Sequence, residues 1–136
     1  MNVVQLPQEI RMALANGLPA VIVTCSAEGT PNATVISQVY YVDETHVALS
    51  FQFFNKTIRN VRENPRAWAG ITDFGGQADW ALDLAFERSE TEGPIFDAMD
   101  MQIEAIASAT GMSGIFKLRA ADIYRVCTVE KLPYQQ

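Results

Sequence analysis

The sequence predicts a mainly β protein, a small antiparallel barrel or sandwich carrying few helices. Three observations point there. Short apolar runs rich in Val, Ile, Thr, Tyr and Phe recur at close spacing. Turn-forming clusters separate them, Ala27-Glu28-Gly29-Thr30-Pro31, Asp43-Glu44-Thr45 and Gly75-Gly76 among them. Only two or three stretches have helical spacing. A chain of 136 residues makes about six strands of useful length, so any barrel is small and filled by its own side chains. Residues 1–136 read as one domain, with no repeat, low-complexity tract or linker.

The elements follow in order. Residues 7–16 form a short amphipathic helix that puts Leu6, Ile10, Ala13 and Leu14 on one side, and Asn16-Gly17 stops it. Leu18 to Cys25 is a β-branched run, a nearly buried strand. The loop Ser26 to Pro31 leads by a hairpin into a second strand, Asn32 to Val42. The third strand runs from Val47 to Phe53. Asn55 then caps a short helix with Ile58 and Val61 on one face, ended by Pro65. Ala67 to Phe74 is the fourth strand. Asp79 to Arg88 alternates, Trp80, Leu82, Leu84 and Phe86 facing one way and Asp79, Asp83 and Glu87 the other, as a half-solvated antiparallel strand does. Glu92-Gly93-Pro94 opens a helix carrying Ile95, Met99, Ile103 and Ile106 at helical spacing. Ile115 to Val129 is extended, with a break at residues 120–122.

Charge narrows the function. A formal net charge of −6 argues against a nucleic-acid partner, which needs a basic surface. The charge is uneven: Lys56, Arg59, Arg62 and Arg66 put four of the ten basic residues within eleven positions, while Asp73 to Glu104 holds nine of the sixteen acidic ones. A basic island on an acidic chain suits one small anionic ligand, although a solvated helix face accounts equally well for the three arginines. No apolar run reaches the roughly 18 residues that span a bilayer, and residues 1–7 lack a signal-peptide pattern, so a cytoplasmic protein without a membrane partner is the expectation.

The segment Asn55-Lys56-Thr57 carries the most specific chemistry. It begins a helix directly after a strand, and its first turn holds an ammonium and a hydroxyl. Free backbone N–H groups and a partial positive charge at such a start suit a phosphate. Cys25 and Cys127 lie in apolar runs without metal-like spacing and read as buried, inert thiols. The one histidine, His46, follows a turn and reads as a solvated strand start. Trp68 and Trp80 read as core or interface residues, with Trp80 the better candidate to stack on a cofactor. Met99, Met101 and Met112 read as packing filler. No catalytic dyad and no metal-ligand cluster is visible.

Several motifs together resemble the pyridoxamine 5′-phosphate oxidase-like FMN-binding split-barrel flavoproteins. They are Ala27-Glu28-Gly29-Thr30-Pro31-Asn32 between the first two strands, Asn55-Lys56-Thr57 followed by Asn60-Val61 and Asn64-Pro65, and Glu92-Gly93-Pro94-Ile95-Phe96, which is similar to the small single-domain members. The resemblance spans roughly residues 9–129. It implies a six-stranded antiparallel Greek-key split barrel, a homodimer, and FMN in grooves between the subunits. It further implies that Lys56 and Thr57, with Asn55 beside them, hold the FMN phosphate. Val35, Ile36, Ser37 and Gln38, with Ser50, Phe51, Gln52 and Phe53, would line the isoalloxazine and ribityl chain, and Asn60 would add a polar contact. Lys117 and Arg119 would approach the partner's flavin, a place a solvated strand face explains as well. The oxidase's basic C-terminal segment has no counterpart in Val129 to Gln136, which speaks against pyridoxamine phosphate as substrate. The reading is therefore an FMN-dependent oxidoreductase or electron-transfer protein. Its alternatives are a deazaflavin-dependent reductase and a non-catalytic flavin or heme binding or sensing module.

Overall fold

The computed structural model describes residues 4–15, 19–36, 38–50, 60–109, 111 and 118–134, without the side chain of Ile106. Helix α1 (Gln8–Ala15) precedes strands β1 (Ala20–Cys25), β2 (Pro31–Ile36), β3 (Tyr40–Asp43) and β4 (His46–Leu49). Strands β5 (Arg66–Asp73) and β6 (Ala78–Glu90), helix α2 (Pro94–Ala109) and strand β7 (Ala121–Pro133) follow. All pairings are antiparallel, in the order β2-β1-β5-β6-β7-β4-β3.

That order forces the sheet to close on itself. The strands at its two ends, β2 and β3, are consecutive in the chain, and Ile36 and Tyr40 lie four residues apart. Four residues reach at most about 14 Å. A flat sheet of seven strands would hold its edges about 29 Å apart. The sheet therefore curls into a split barrel.

The second predicted strand, Asn32 to Val42, is thus two strands, and the described residues form seven strands rather than six. The physical reason lies at Gln38 and Val39. The Gln38 amide nitrogen donates to the Leu14 carbonyl at 3.0 Å, and Val39 is fully buried, so the chain is pinned to α1 where it crosses between the sheet edges. The third strand is described as far as Leu49, and Phe51, Gln52 and Phe53 lie outside the described residues.

The first hairpin closes where Gly29 adopts a φ of +86°, a conformation other residues rarely take. There the Ser26 N–H donates to the Thr30 carbonyl, and the Thr30 N–H to the Ser26 hydroxyl. Inside the barrel lies one core, built from Ile22, Val47, Leu49, Ile71, Leu82, Leu84, Tyr124 and their neighbours and closed at one end by Leu6, Ile10 and Leu14 of the α1 region. A second cluster seats α2 on the outside of β4 and β7, where Met99 packs with Ala48, Leu118, Ala121 and Ile123, and Ile95, Phe96 and Ile103 border it.

Alternation on β6 is as the sequence implies, with Trp80, Leu82 and Leu84 buried. Two expectations need correction. Met101 is three-quarters exposed, because α2 buries only the stripe that meets β4 and β7. Cys25 and Cys127 are free thiols but half-buried, since each points away from the barrel interior.

Candidate functional site

The helical turn of residues 60–63 is held between the first hairpin and β6. Asn60 is buried, and its amide nitrogen donates to the Thr24 hydroxyl at 3.2 Å. Val61 enters the core. Glu63 accepts the Ala27 N–H at 3.3 Å, and the Phe86 N–H donates to the Pro65 carbonyl at 2.8 Å. The end of this helix is thereby fixed. The start expected for it at Asn55, Lys56 and Thr57 lies outside the described residues, as do Ser37, Phe51, Gln52, Phe53 and Lys117.

Beside this turn opens a cavity of about 290 Å³, lined by Val61, Arg62, Phe86, Ser89, Thr91, Arg119, Ala120 and Asp122. Pairing of β6 with β7 sets Ser89 against Asp122, and the Ser89 hydroxyl donates to the Asp122 carboxylate. Burial pushes the Asp122 pKa above 3.8, and the Ser89 hydrogen bond and the nearby Arg62 charge pull against that rise. Arg62 and Arg119 make no ion pair with a carboxylate among the described residues. Two guanidiniums and two hydroxyls around one mouth, with Phe86 and Val61 as an apolar wall, suit an oxyanion joined to an apolar body.

Two other candidates meet elsewhere. Gln38 and Ser50 both line a small cavity with Tyr40, Met99, Gln102 and Ile103. An adjoining cavity of about 190 Å³ shares Gln38, Tyr40 and Gln102 and adds Arg11 and Tyr41. Val35 and Ile36 point to opposite faces of β2, Val35 exposed at 63% and Ile36 buried. Trp80 sits in the core, with the Lys131 ammonium 5.8 Å from its ring centre. That is the core place the sequence allowed it.

His46 starts β4 and is mostly covered. Its Nδ1 lies 3.0 Å from Asp43 and its Nε2 2.9 Å from Glu87. Burial alone would raise the pKa of Asp43. Hydrogen bonds from the Thr45 N–H, His46 and the Thr45 hydroxyl outweigh it and hold the carboxyl below its usual value. Among the described residues no group of three His, Cys, Asp or Glu side chains could hold a metal ion, and no helix is long and apolar enough to cross a membrane.

Sequence reasoning singled out Arg62 and Arg119 but missed Phe86, Ser89, Thr91 and Asp122. Ser89 and Asp122 are 33 positions apart and meet only through strand register. No local spacing announces them.

Comparison with known proteins matches residues 6–127 to the family model for pyridoxamine 5′-phosphate oxidase. The chain belongs to that family. No curated protein matches it in sequence. Among solved structures, an FMN-binding protein from Syntrophomonas wolfei subsp. wolfei is 15% identical with a TM-score of 0.74, over 95% of this chain and 87% of its own. HupZ from Group A Streptococcus is 20% identical with a TM-score of 0.70, over 93% of this chain and 94% of its own. The heme storage protein HutZ from Vibrio cholerae is 17% identical with a TM-score of 0.55, over 97% of this chain and 92% of its own. At these identities the likeness is one of fold.

Proposed function

We propose that this member of the pyridoxamine 5′-phosphate oxidase family is an FMN-dependent oxidoreductase or electron-transfer protein, working as a homodimer with flavin at the subunit boundary. The family match over residues 6–127 carries the reading, because it spans the phosphate-suited start Asn55-Lys56-Thr57. Gln38 and Ser50, both assigned to the flavin, are near neighbours that border one narrow gap of about 10 Å³, which holds no ring itself but puts the two polar side chains on the same part of the barrel. FMN, when bound, supplies the hydride or electron chemistry itself. The protein's part is to hold and orient it. Lys56 and Thr57 take the phosphate, Asn55 caps the helix that presents them, and Gln38 and Ser50 offer polar contacts to the ring and ribityl chain.

A homodimer is supported by an apolar outer face. Val35 and Val21 are paired across β2 and β1, and Trp68 stands opposite Val23 on the neighbouring strand. Val21 is 40% exposed, Val35 63% and Trp68 39%, an apolar surface of the kind that partners cover.

Heme storage is the second reading, favoured by the likeness to HutZ. It gains nothing from histidine ligation. The chain has one histidine, and both ring nitrogens of His46 are engaged by carboxylates.

The test is a visible-absorption titration of the protein with FMN and with riboflavin, which lacks the phosphate. FMN should bind at least about tenfold more tightly than riboflavin, a difference of about 1.4 kcal/mol. Lys56→Ala should remove most of that preference. A Lys56→Ala protein with unchanged FMN affinity would take the phosphate away from Lys56, and no binding of either flavin would end the flavoprotein reading.

A further inference from the structure

We infer that the cavity between the 60–63 turn, the end of β6 and the start of β7 is a second anion site, which takes the carboxylate or phosphate of a small molecule with an apolar body. Its walls come from three segments far apart in sequence and fixed by the fold. Arg62 is held by the turn that Asn60 and Glu63 anchor. Ser89 and Asp122 are set by strand pairing, and Arg119 directly follows the buried Leu118. The lining carries two guanidiniums against one carboxylate, a local positive balance on a chain of net charge −6. Asp122, the one acidic group in the lining, already has its carboxylate engaged by the Ser89 hydroxyl and faced by Arg62.

A planar guanidinium grips a carboxylate or phosphate by two parallel hydrogen bonds, and the Thr91 hydroxyl in the lining offers a third donor. Phe86 and Val61 give the rest of the ligand an apolar surface. The flavin phosphate is assigned to Lys56 and Thr57, so this cavity serves a different anion. Given the flavoprotein function proposed above, it anchors the anionic end of the substrate.

The test measures binding of inorganic phosphate and of benzoate by isothermal titration, to the protein and to the Arg62→Gln/Arg119→Gln double variant. Arg125→Gln, a charge change on an exposed β7 position, is the control. Far-UV circular dichroism checks folding, and Thr91→Val is the milder second variant. The site predicts that at least one probe binds, that the double variant loses tenfold or more in affinity, that Thr91→Val loses a smaller part, and that the control is unchanged. Phosphate alone binding would mark a phosphate-bearing ligand, and benzoate alone a carboxylate with an apolar body. No binding of either probe, or equal binding by the double variant, overturns the proposal. FMN is titrated into the same proteins. If the double variant loses FMN affinity in step with the probes, the cavity seats the flavin phosphate and no second site exists. If FMN fails to bind any version while the probes still require the arginines, the flavoprotein reading falls and the anion site stands.

Discussion

Asn60 shows how one buried amide decides where a helix can end. Its side-chain nitrogen donates to the Thr24 hydroxyl in the interior, tying the 60–63 turn to β1. The sequence reading gave Asn60 a cofactor contact; here a donor of this residue is spent on Thr24, and its role is to place the turn that carries Arg62. Thr24→Val keeps the shape of the side chain but removes the acceptor. An amide donor left unpaired in the interior costs about 1–3 kcal/mol. The Thr24→Val protein should therefore unfold at lower denaturant concentration with an unchanged slope, measured by urea titration. A midpoint equal to the parent's would mean that the amide finds another partner. Such a pair is invisible in sequence. Thr24 and Asn60 are 36 positions apart, and each alone reads as a strand residue or a helix residue.

The elements were legible where one face is buried and hidden where packing overrides pattern. The alternation of β6 could be read directly, because Trp80, Leu82 and Leu84 meet the core while Asp79 and Asp83 stay outside. The β2–β3 boundary could not be read, because Asn32 to Val42 is uniformly β-prone and the bend between the strands depends on Gln38 reaching Leu14. Likewise Gly70 reads as an ordinary strand glycine until the structure shows Trp68 lying along β5 above it. A Cβ on Gly70 would stand 2.5 Å from the Trp68 ring. Gly70→Ala must therefore push the indole off the sheet. The expected cost is about 1 kcal/mol, at the low end of overpacking because the half-exposed ring can swing outward. In a Trp68→Ala background the same substitution should cost close to nothing. A double-mutant cycle by denaturant unfolding reads the coupling, and equal costs in both backgrounds would show that the backbone rather than the indole resists the methyl group.

At the scale of the whole molecule, the barrel leaves two kinds of outer surface. One is covered by the chain itself, where α2 lies on β4 and β7. The other, over β2, β1 and β5, carries Val35, Val21 and Trp68 and has no helix upon it among the described residues. A sheet with both faces apolar must cover both, and a second copy of the chain is the cover that the flavoprotein reading calls for. Because a two-fold interface brings the same patch against itself, one substitution acts twice. Trp68→Arg places a guanidinium on each copy of the patch, and desolvating both without partners is costly. The parent protein should run in size-exclusion chromatography with light scattering at twice its 15.0 kDa chain mass. Trp68→Arg should shift it towards one chain mass on dilution, with its circular dichroism unchanged. Since the proposed flavin sits at the subunit boundary, the same variant should also weaken FMN binding, and more strongly at low protein concentration. A variant that remains dimeric would place the interface on another face. A monomeric variant that binds FMN as tightly as the parent would separate the flavin site from the dimer, leaving each barrel to hold its cofactor alone.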